Sequence, residues 1–436
     1  MNQKVSGSEQ LKGSITLPPD KSISHRAAMF AAIADGVSVI DNYSAAADPQ
    51  DTLTCLRQLG VPVKQEGSRV TIEGVGRNGL KDPSEDLDCG NSGTTMRLMA
   101  GILAGAGVTC RLVGDDSLSS RTMRRIIDPL NEMGASVTGR DNIYAPLEIA
   151  SGTGIRGMSY PLPIASAQLK SAVLLAGLFG DTQTEVIESV PSRDHTERLL
   201  NLPVKETSGE RSIFSSREVE IPLQSYQVPG DFSAAAFWLV AGSVHPNAEI
   251  KMKNVGLNPS RTAALKILQE MGADIEIKYS SDEGPEPMGT VTVRSSQLRA
   301  ISLQPELIPN SIDELPVLMV AMCFAEGRSE IVGAEELRHK ETDRLEAMAK
   351  VLEAAGETFE TKPGGIEIQG RGPHIPHAGR FESEHDHRIA MSAAVMALMA
   401  DTGQVSTILN SEATAISYPK FWEDLAYLSG LRETIV

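Results

Sequence analysis

Six times along the 436 residues, a segment rich in alanine, glycine, methionine and leucine opens just after a polar turn, near Ser22, Asn91, Ser166, Asp231, Asp313 and His387. The spacings are 69, 75, 65, 82 and 74 residues, so the chain repeats itself about every seventy. Each segment predicts a helix of small side chains that can be buried on every side. β-Branched runs follow at 37–40, 108–113, 184–187, 248–252, 329–332 and 405–409, and read as buried strands. A second, amphipathic helix is expected at 52–59, 122–133, 197–202, 261–271 and 342–355. Four of these five stop at Gly60, Gly134, Gly272 or Gly356, where glycine supplies the left-handed residue beyond a helix end. Hairpins such as 357–361 with 366–369 then close the repeat as β-α-β-α-β-β.

Six such repeats exclude a dinucleotide-binding sheet, and neither the Gly-x-Gly-x-x-Gly fingerprint nor a P-loop occurs. The length exceeds what one hydrophobic core supports. The expected division is three repeats and three, with lobes at 1–18 plus 230–436 and at 19–229. A strand at 15–17 precedes the first helix, so the chain would cross at Pro18-Pro19 and again near Val228-Pro229-Gly230, with a ligand cleft between the lobes.

Forty Lys and Arg against 57 Asp and Glu give a net charge of −17, which argues against non-specific binding to nucleic acid or anionic membranes. It leaves acidic small molecules open, because a local basic cluster outweighs a diffuse negative surface over a few ångströms. Cys55, Cys89, Cys110 and Cys323 are scattered without metal-ligand spacing, so neither zinc nor a structural disulfide is expected. Residues 1–13 are polar, and no apolar run is long enough to span a bilayer. A cytoplasmic protein is the expectation.

The polar turns carry the chemistry. Pro19-Asp20-Lys21-Ser22-Ile23-Ser24-His25-Arg26 gathers a lysine, a hydroxyl and an arginine at a helix N-terminus, where free N–H groups and the dipole favour an anion. Gly90-Asn91-Ser92-Gly93-Thr94 brings a glycine turn to another helix start. Arg121 stands on a loop after Asp115, and Ser166 and Gln168 offer either a plain cap or hydrogen bonds to a hydroxylated ligand. Ser311 and Glu314 match a capping box around Asp313. Lys340 and Arg344 fall at i and i+4 of an expected helix, with Glu341 three residues before Arg344. Arg388 follows His385-Asp386-His387, whose two histidines lack a third ligand for a metal. Six cations at repeat boundaries, with only Asp313 and Glu341 beside them, suit two anionic substrates and two groups left for proton transfer.

Taken together, Asp20–Arg26, Gly90–Thr94, Ser166-Ala167-Gln168, Ser192-Arg193-Asp194-His195-Thr196-Glu197, Asp313-Glu314-Leu315-Pro316, Lys340–Arg344 and Asp386–Ala390 resemble the 5-enolpyruvylshikimate-3-phosphate synthase (3-phosphoshikimate 1-carboxyvinyltransferase) family over essentially the whole chain. That resemblance implies an α/β (α+β) fold of two similar inside-out barrels, each of three β-α-β-α-β-β repeats. It implies transfer of the enolpyruvyl group of phosphoenolpyruvate to the 5-hydroxyl of shikimate 3-phosphate in aromatic amino-acid biosynthesis, without metal or organic cofactor. Carried over by position, Lys21, Ser22, Arg26, Ser166, Ala167, Gln168, Arg193, Asp313 and Lys340 would bind shikimate 3-phosphate. Lys21, Gly93, Arg121, Gln168, Arg344 and Arg388 would hold phosphoenolpyruvate, and Asp313, Glu341 and Lys21 would move protons. Gly93 resembles the form open to the inhibitor glyphosate, and a monomer is the state the family favours. The alternatives are a UDP-N-acetylglucosamine enolpyruvyl transferase, whose family uses a loop cysteine absent from 115–121, and a non-catalytic anion-binding protein on the same scaffold.

Overall fold

The polar turns do begin helices, and five of the six are closed by the side chain expected of an N-cap. The computed structural model describes residues 1–207, 209–280 and 284–431. In it the small-residue helices are α1 (Lys21–Ile33), α2 (Gly93–Ala106), α3 (Ala167–Gly177), α4 (Phe232–Val244), α5 (Leu315–Cys323) and α6 (His387–Leu398). Asp20 accepts from the Ile23 N–H, Ser92 from Thr95, Ser166 from Leu169, Asp231 from Ser233 and Asp386 from Arg388. At α5 the expected capping box does not form. Residues Ile308–Ser311 are already helical, so the Ser311 hydroxyl donates back to the Leu307 carbonyl at 2.7 Å instead of capping.

The chain divides into two compact units. The first is Met1–Pro18, Pro229–Glu283 and Pro287–Val436; the second is Pro19–Val228 with Gly284–Glu286. Pro229 therefore groups with the first unit, and Gly284–Glu286 with the second, where the Glu286 carboxylate lies 2.7 Å from His195 Nδ1.

Within each unit the sheets share one plan. In the second unit Ser159–Pro161 runs parallel to Thr184–Glu188, which pairs antiparallel with Glu210–Ser215 and through it with Val204–Thr207. Leu87–Asp88, Cys110–Val113, Tyr144–Ala150 and Ser136–Arg140 repeat the order. The remaining sheet is led by Tyr226–Gln227 beside Asp35–Asp41, whereas the strand before α1, Leu11–Thr16, pairs with Ala248–Gly256 in the first unit. Among the described residues the last repeat has no closing hairpin. After Val405–Leu409 the chain turns helical, and the N-terminal strand Asn2–Ser6 takes the antiparallel place.

Each unit has its own apolar core, built around its three small-residue helices. All thirteen residues of α4 are buried. Between α2 and α3 the backbones approach so closely that a Cβ on Gly101 would stand 2.3 Å from the Ala172 carbonyl oxygen. That neighbour is main chain and cannot swing aside. Gly101→Ala is therefore expected to destabilise the protein by about 1–3 kcal/mol, read from urea unfolding, and an unchanged midpoint would contradict this packing.

Candidate active site

In the second unit, the N-terminal turns of α1, α2 and α3 are tied together by buried and partly buried hydrogen bonds. His25 Nδ1 lies 2.7 Å from Thr52 Oγ1, which lies 2.8 Å from Thr95 Oγ1, and Thr95 in turn donates to Ser92 Oγ at 2.8 Å. This chain joins α1 to α2 through the intervening helix Ala47–Gln58. Arg97, one turn into α2, donates to Gln168 Oε1, and the Gln168 amide nitrogen donates to Thr94 Oγ1 at 3.0 Å, which joins α2 to α3.

Lys21 pairs with Asp48 at 2.9 Å and is partly exposed. Arg26 is buried: its guanidinium donates to Thr196 Oγ1 at 2.9 Å, to the Ser22 carbonyl at 3.1 Å and to Ser171 Oγ at 3.2 Å. Burial pushes the Arg26 guanidinium down to about 10, with Glu197 and Asp20 opposing the shift and Arg193 adding to it. Ser166 caps α3, so its simple reading as a cap holds in this structure. Arg121 follows a short helix, Asp116–Ser120, and donates to Asn91 Oδ1 at 2.7 Å and to Ser117 Oγ at 3.1 Å. Among the described residues, its buried Nε has no hydrogen-bond partner. Gly93 leaves the space between the two arginines open. A Cβ there would lie 2.9 Å from Arg97 Nη1 and 3.7 Å from Arg121 Nη1.

Buried His25 is held neutral. It is lowered from 6.5 to about 3, chiefly by desolvation; Asp48 opposes the shift, and Lys21 and Arg26 contribute to it. Between those two values the unfolded chain binds one proton more than the folded one, so stability falls as pH falls through 6.5 toward 3. At pH 5 the loss from this group is about 2 kcal/mol. Urea unfolding at pH 7.5 and 5 should show that extra loss in the wild type and not in His25→Gln; equal losses would rule it out.

The first unit holds the other candidate groups. Asp313 precedes α5, and its carboxylate lies 3.3 Å from Arg344 Nη1 and 3.8 Å from Arg388 Nη2. Its main-chain carbonyl accepts from Arg388 Nη1 at 2.9 Å. Arg344, only 1% exposed, also meets Glu341 at 2.6 Å and Asp386 at 2.7 Å. The expected helical stacking of Lys340 over Arg344 is corrected: the helix Arg344–Ala354 starts at Arg344 with Asp343 as its cap, and Lys340 lies in the preceding turn. Lys340 nevertheless belongs to this cluster electrostatically. Burial lowers its ammonium below the usual lysine range, while Asp313 is the main group raising it.

Sequence reasoning missed Arg97, Asp48 and Asp386 as members of these clusters. Arg97 had a signal, standing one turn after Gly93 on the same helix. Among the described residues no group of His, Cys, Asp or Glu is arranged to hold a metal ion, and no helix is long and apolar enough to cross a membrane.

Residues 5–425 match the family described as EPSP synthase (3-phosphoshikimate 1-carboxyvinyltransferase). The chain is 49% identical over 432 residues to the 3-phosphoshikimate 1-carboxyvinyltransferase of Salinibacter ruber (strain DSM 13855 / M31), covering 98% of this chain and 100% of that one. It is 47% identical over 434 residues to the protein of the same name from Herpetosiphon aurantiacus, covering 98% and 99%. Among solved structures, an EPSP synthase from Acinetobacter baumannii superposes with a TM-score of 0.86 at 39% identity, covering 99% and 98% of the two chains. The enolpyruvyl transferase NikO from Streptomyces tendae gives 0.76 at 16% identity, covering 98% and 97%, which is a likeness of fold alone.

Proposed function

This chain belongs to the EPSP synthase (3-phosphoshikimate 1-carboxyvinyltransferase) family and is a transferase, and from that premise we propose how its residues divide the reaction. The enolpyruvyl group of phosphoenolpyruvate passes to the 5-hydroxyl of shikimate 3-phosphate by addition and elimination. C3 of the enol is protonated, the hydroxyl adds at C2, and loss of phosphate and of the C3 proton restores the double bond.

Asp313 takes the hydroxyl proton, while Glu341, with Lys21, handles the proton at C3. The observation that carries this reading is the Asp313 carboxylate flanked by Arg344 and Arg388 within one unit, a base surrounded by cations suited to an anionic donor. Lys21, Ser22, Arg26, Ser166, Ala167, Gln168, Arg193 and Lys340 join Asp313 in binding shikimate 3-phosphate. Lys21, Gly93, Arg121, Gln168, Arg344 and Arg388 hold phosphoenolpyruvate, and glyphosate competes for that subsite. The protein acts as a monomer in the cytoplasm.

Phosphate release is the direct test. Release from phosphoenolpyruvate with shikimate 3-phosphate, and none with UDP-N-acetylglucosamine, supports the assignment; release with neither acceptor would leave only anion binding. Arg121→Ala removes a guanidinium whose Nη1 faces Gly93 and whose Nε, among the described residues, has no hydrogen-bond partner, and is expected to raise KM for phosphoenolpyruvate about tenfold or more. An unchanged KM would remove Arg121 from the donor subsite.

A further inference from the structure

Lys170 stands in α3 between Leu169 and Ser171, one turn after Ser166, and is completely buried. Its ammonium lies 2.7 Å from Glu197 and 3.0 Å from Glu188, both also buried. Arg211 approaches the same two carboxylates at 3.3 and 3.4 Å. Taking such charges out of water is unfavourable, and an apolar pair of similar volume commonly serves folding as well or better, so stability alone is a weak explanation for keeping them.

What the pair grips is one residue. Glu188 Oε1 accepts from the Ser192 N–H at 3.1 Å and from the Ser192 hydroxyl at 2.5 Å, while Lys170 Nζ donates to the Ser192 carbonyl at 3.4 Å. Every hydrogen-bonding group of Ser192 is thus engaged by Lys170 or Glu188. The next residue is Arg193. Beyond it, Asp194 accepts from Arg198 at 2.9 Å, and Thr196 is held by Arg26 and Ser171. Arg193 is therefore bracketed on both sides by residues fixed to α1 and α3.

We infer that Lys170 and Glu188 are positioning residues that set Arg193 against the α3 N-terminus, so that Arg193, Ser166 and Gln168 address the same phosphate monoester of the acceptor. The inference rests on the proposed role of Arg193 in binding shikimate 3-phosphate. Neither Lys170 nor Glu188 touches substrate; both act through Ser192.

Steady-state kinetics on the whole protein test this with Glu188→Ala, Glu188→Gln, Lys170→Met/Glu188→Gln and Arg193→Ala. Glu188→Ala removes the acceptor for Ser192 and should raise KM for shikimate 3-phosphate about tenfold or more, with KM for phosphoenolpyruvate changed less than about twofold. Glu188→Gln keeps an acceptor oxygen and should recover most of that loss. Lys170→Met/Glu188→Gln removes one charge of each sign, and should weaken acceptor binding without adding its full effect to Arg193→Ala when the three changes are combined.

A folded Glu188→Ala protein with wild-type KM for shikimate 3-phosphate would overturn the inference, as would equal rises in both KM values or full additivity with Arg193→Ala. Should Glu188→Ala fail to fold, the double variant, which loses the Lys170 bond to the Ser192 carbonyl, carries the test, and a wild-type KM for shikimate 3-phosphate in it would overturn the inference. If Arg193→Ala itself leaves acceptor binding intact, the underlying role of Arg193 fails and the positioning falls with it. If Arg193→Ala weakens binding while the Glu188 and Lys170 variants do not, only the positioning fails.

Discussion

Asp313→Ala is expected to lower kcat by about 10²–10⁴-fold, the range for a lost general base, while KM for shikimate 3-phosphate moves far less. The fold should survive, because Arg388 is also anchored by the Asp313 main-chain carbonyl at 2.9 Å, a bond that alanine retains. A second readout separates lost proton transfer from a disturbed site. Asp313 is the main group raising the Lys340 ammonium, which burial otherwise lowers, so removing it should lower Lys340 further. The alkaline limb of the residual activity would then move to lower pH. Near-normal turnover would remove Asp313 from the mechanism, and an alkaline limb that stays in place would detach it from Lys340.

The recurrence of Ala- and Gly-rich helices was legible because burial on all sides leaves a local trace: small side chains, a polar cap before them and β-branched residues after. Pairings that depend on distant stretches left no such trace. Nothing local in 2–6 says that this strand closes the sheet of Val405–Leu409, or that Leu11–Thr16 belongs with Ala248–Gly256. The capping box at Ser311 and Glu314 failed because a preceding helical turn had already claimed the serine hydroxyl, a contest that a four-residue motif does not record.

The chemistry followed the same division. Asp313, Glu341, Arg344 and Arg388 stood out because charges at helix starts are conspicuous, and the first unit places Asp313 within ion-pair reach of Arg344 and Arg388, and Glu341 within reach of Arg344. Lys170 lay at the edge of an apolar run, with carboxylate partners 18 and 27 residues further on, one ending a strand and one in the helix His195–Leu199. By sequence Asp386 is one residue of a polar turn, although its buried carboxylate is a principal partner of Arg344.

Arg344→Met should produce the largest loss of stability among single changes in the first unit's cluster. Burial by itself would lower the Arg344 guanidinium, yet Asp386, Glu341 and Asp313 outweigh that and raise it above the ordinary arginine value. Methionine fills much of the volume but leaves those three carboxylates facing one another, with Asp386 fully buried. Breaking a buried ion pair from one side destabilises by about 3–5 kcal/mol. The variant's deficit has a definite sign with pH. The repulsion exists only while the carboxylates are charged, so it is fully present at neutral pH and is relieved as protons bind on the way down. Urea unfolding should therefore give a gap between variant and wild type that is wide at pH 7 and narrower at pH 5. A gap that widens toward acid, or one below about 1 kcal/mol at pH 7, would mean that Arg344 does not hold the three carboxylates together.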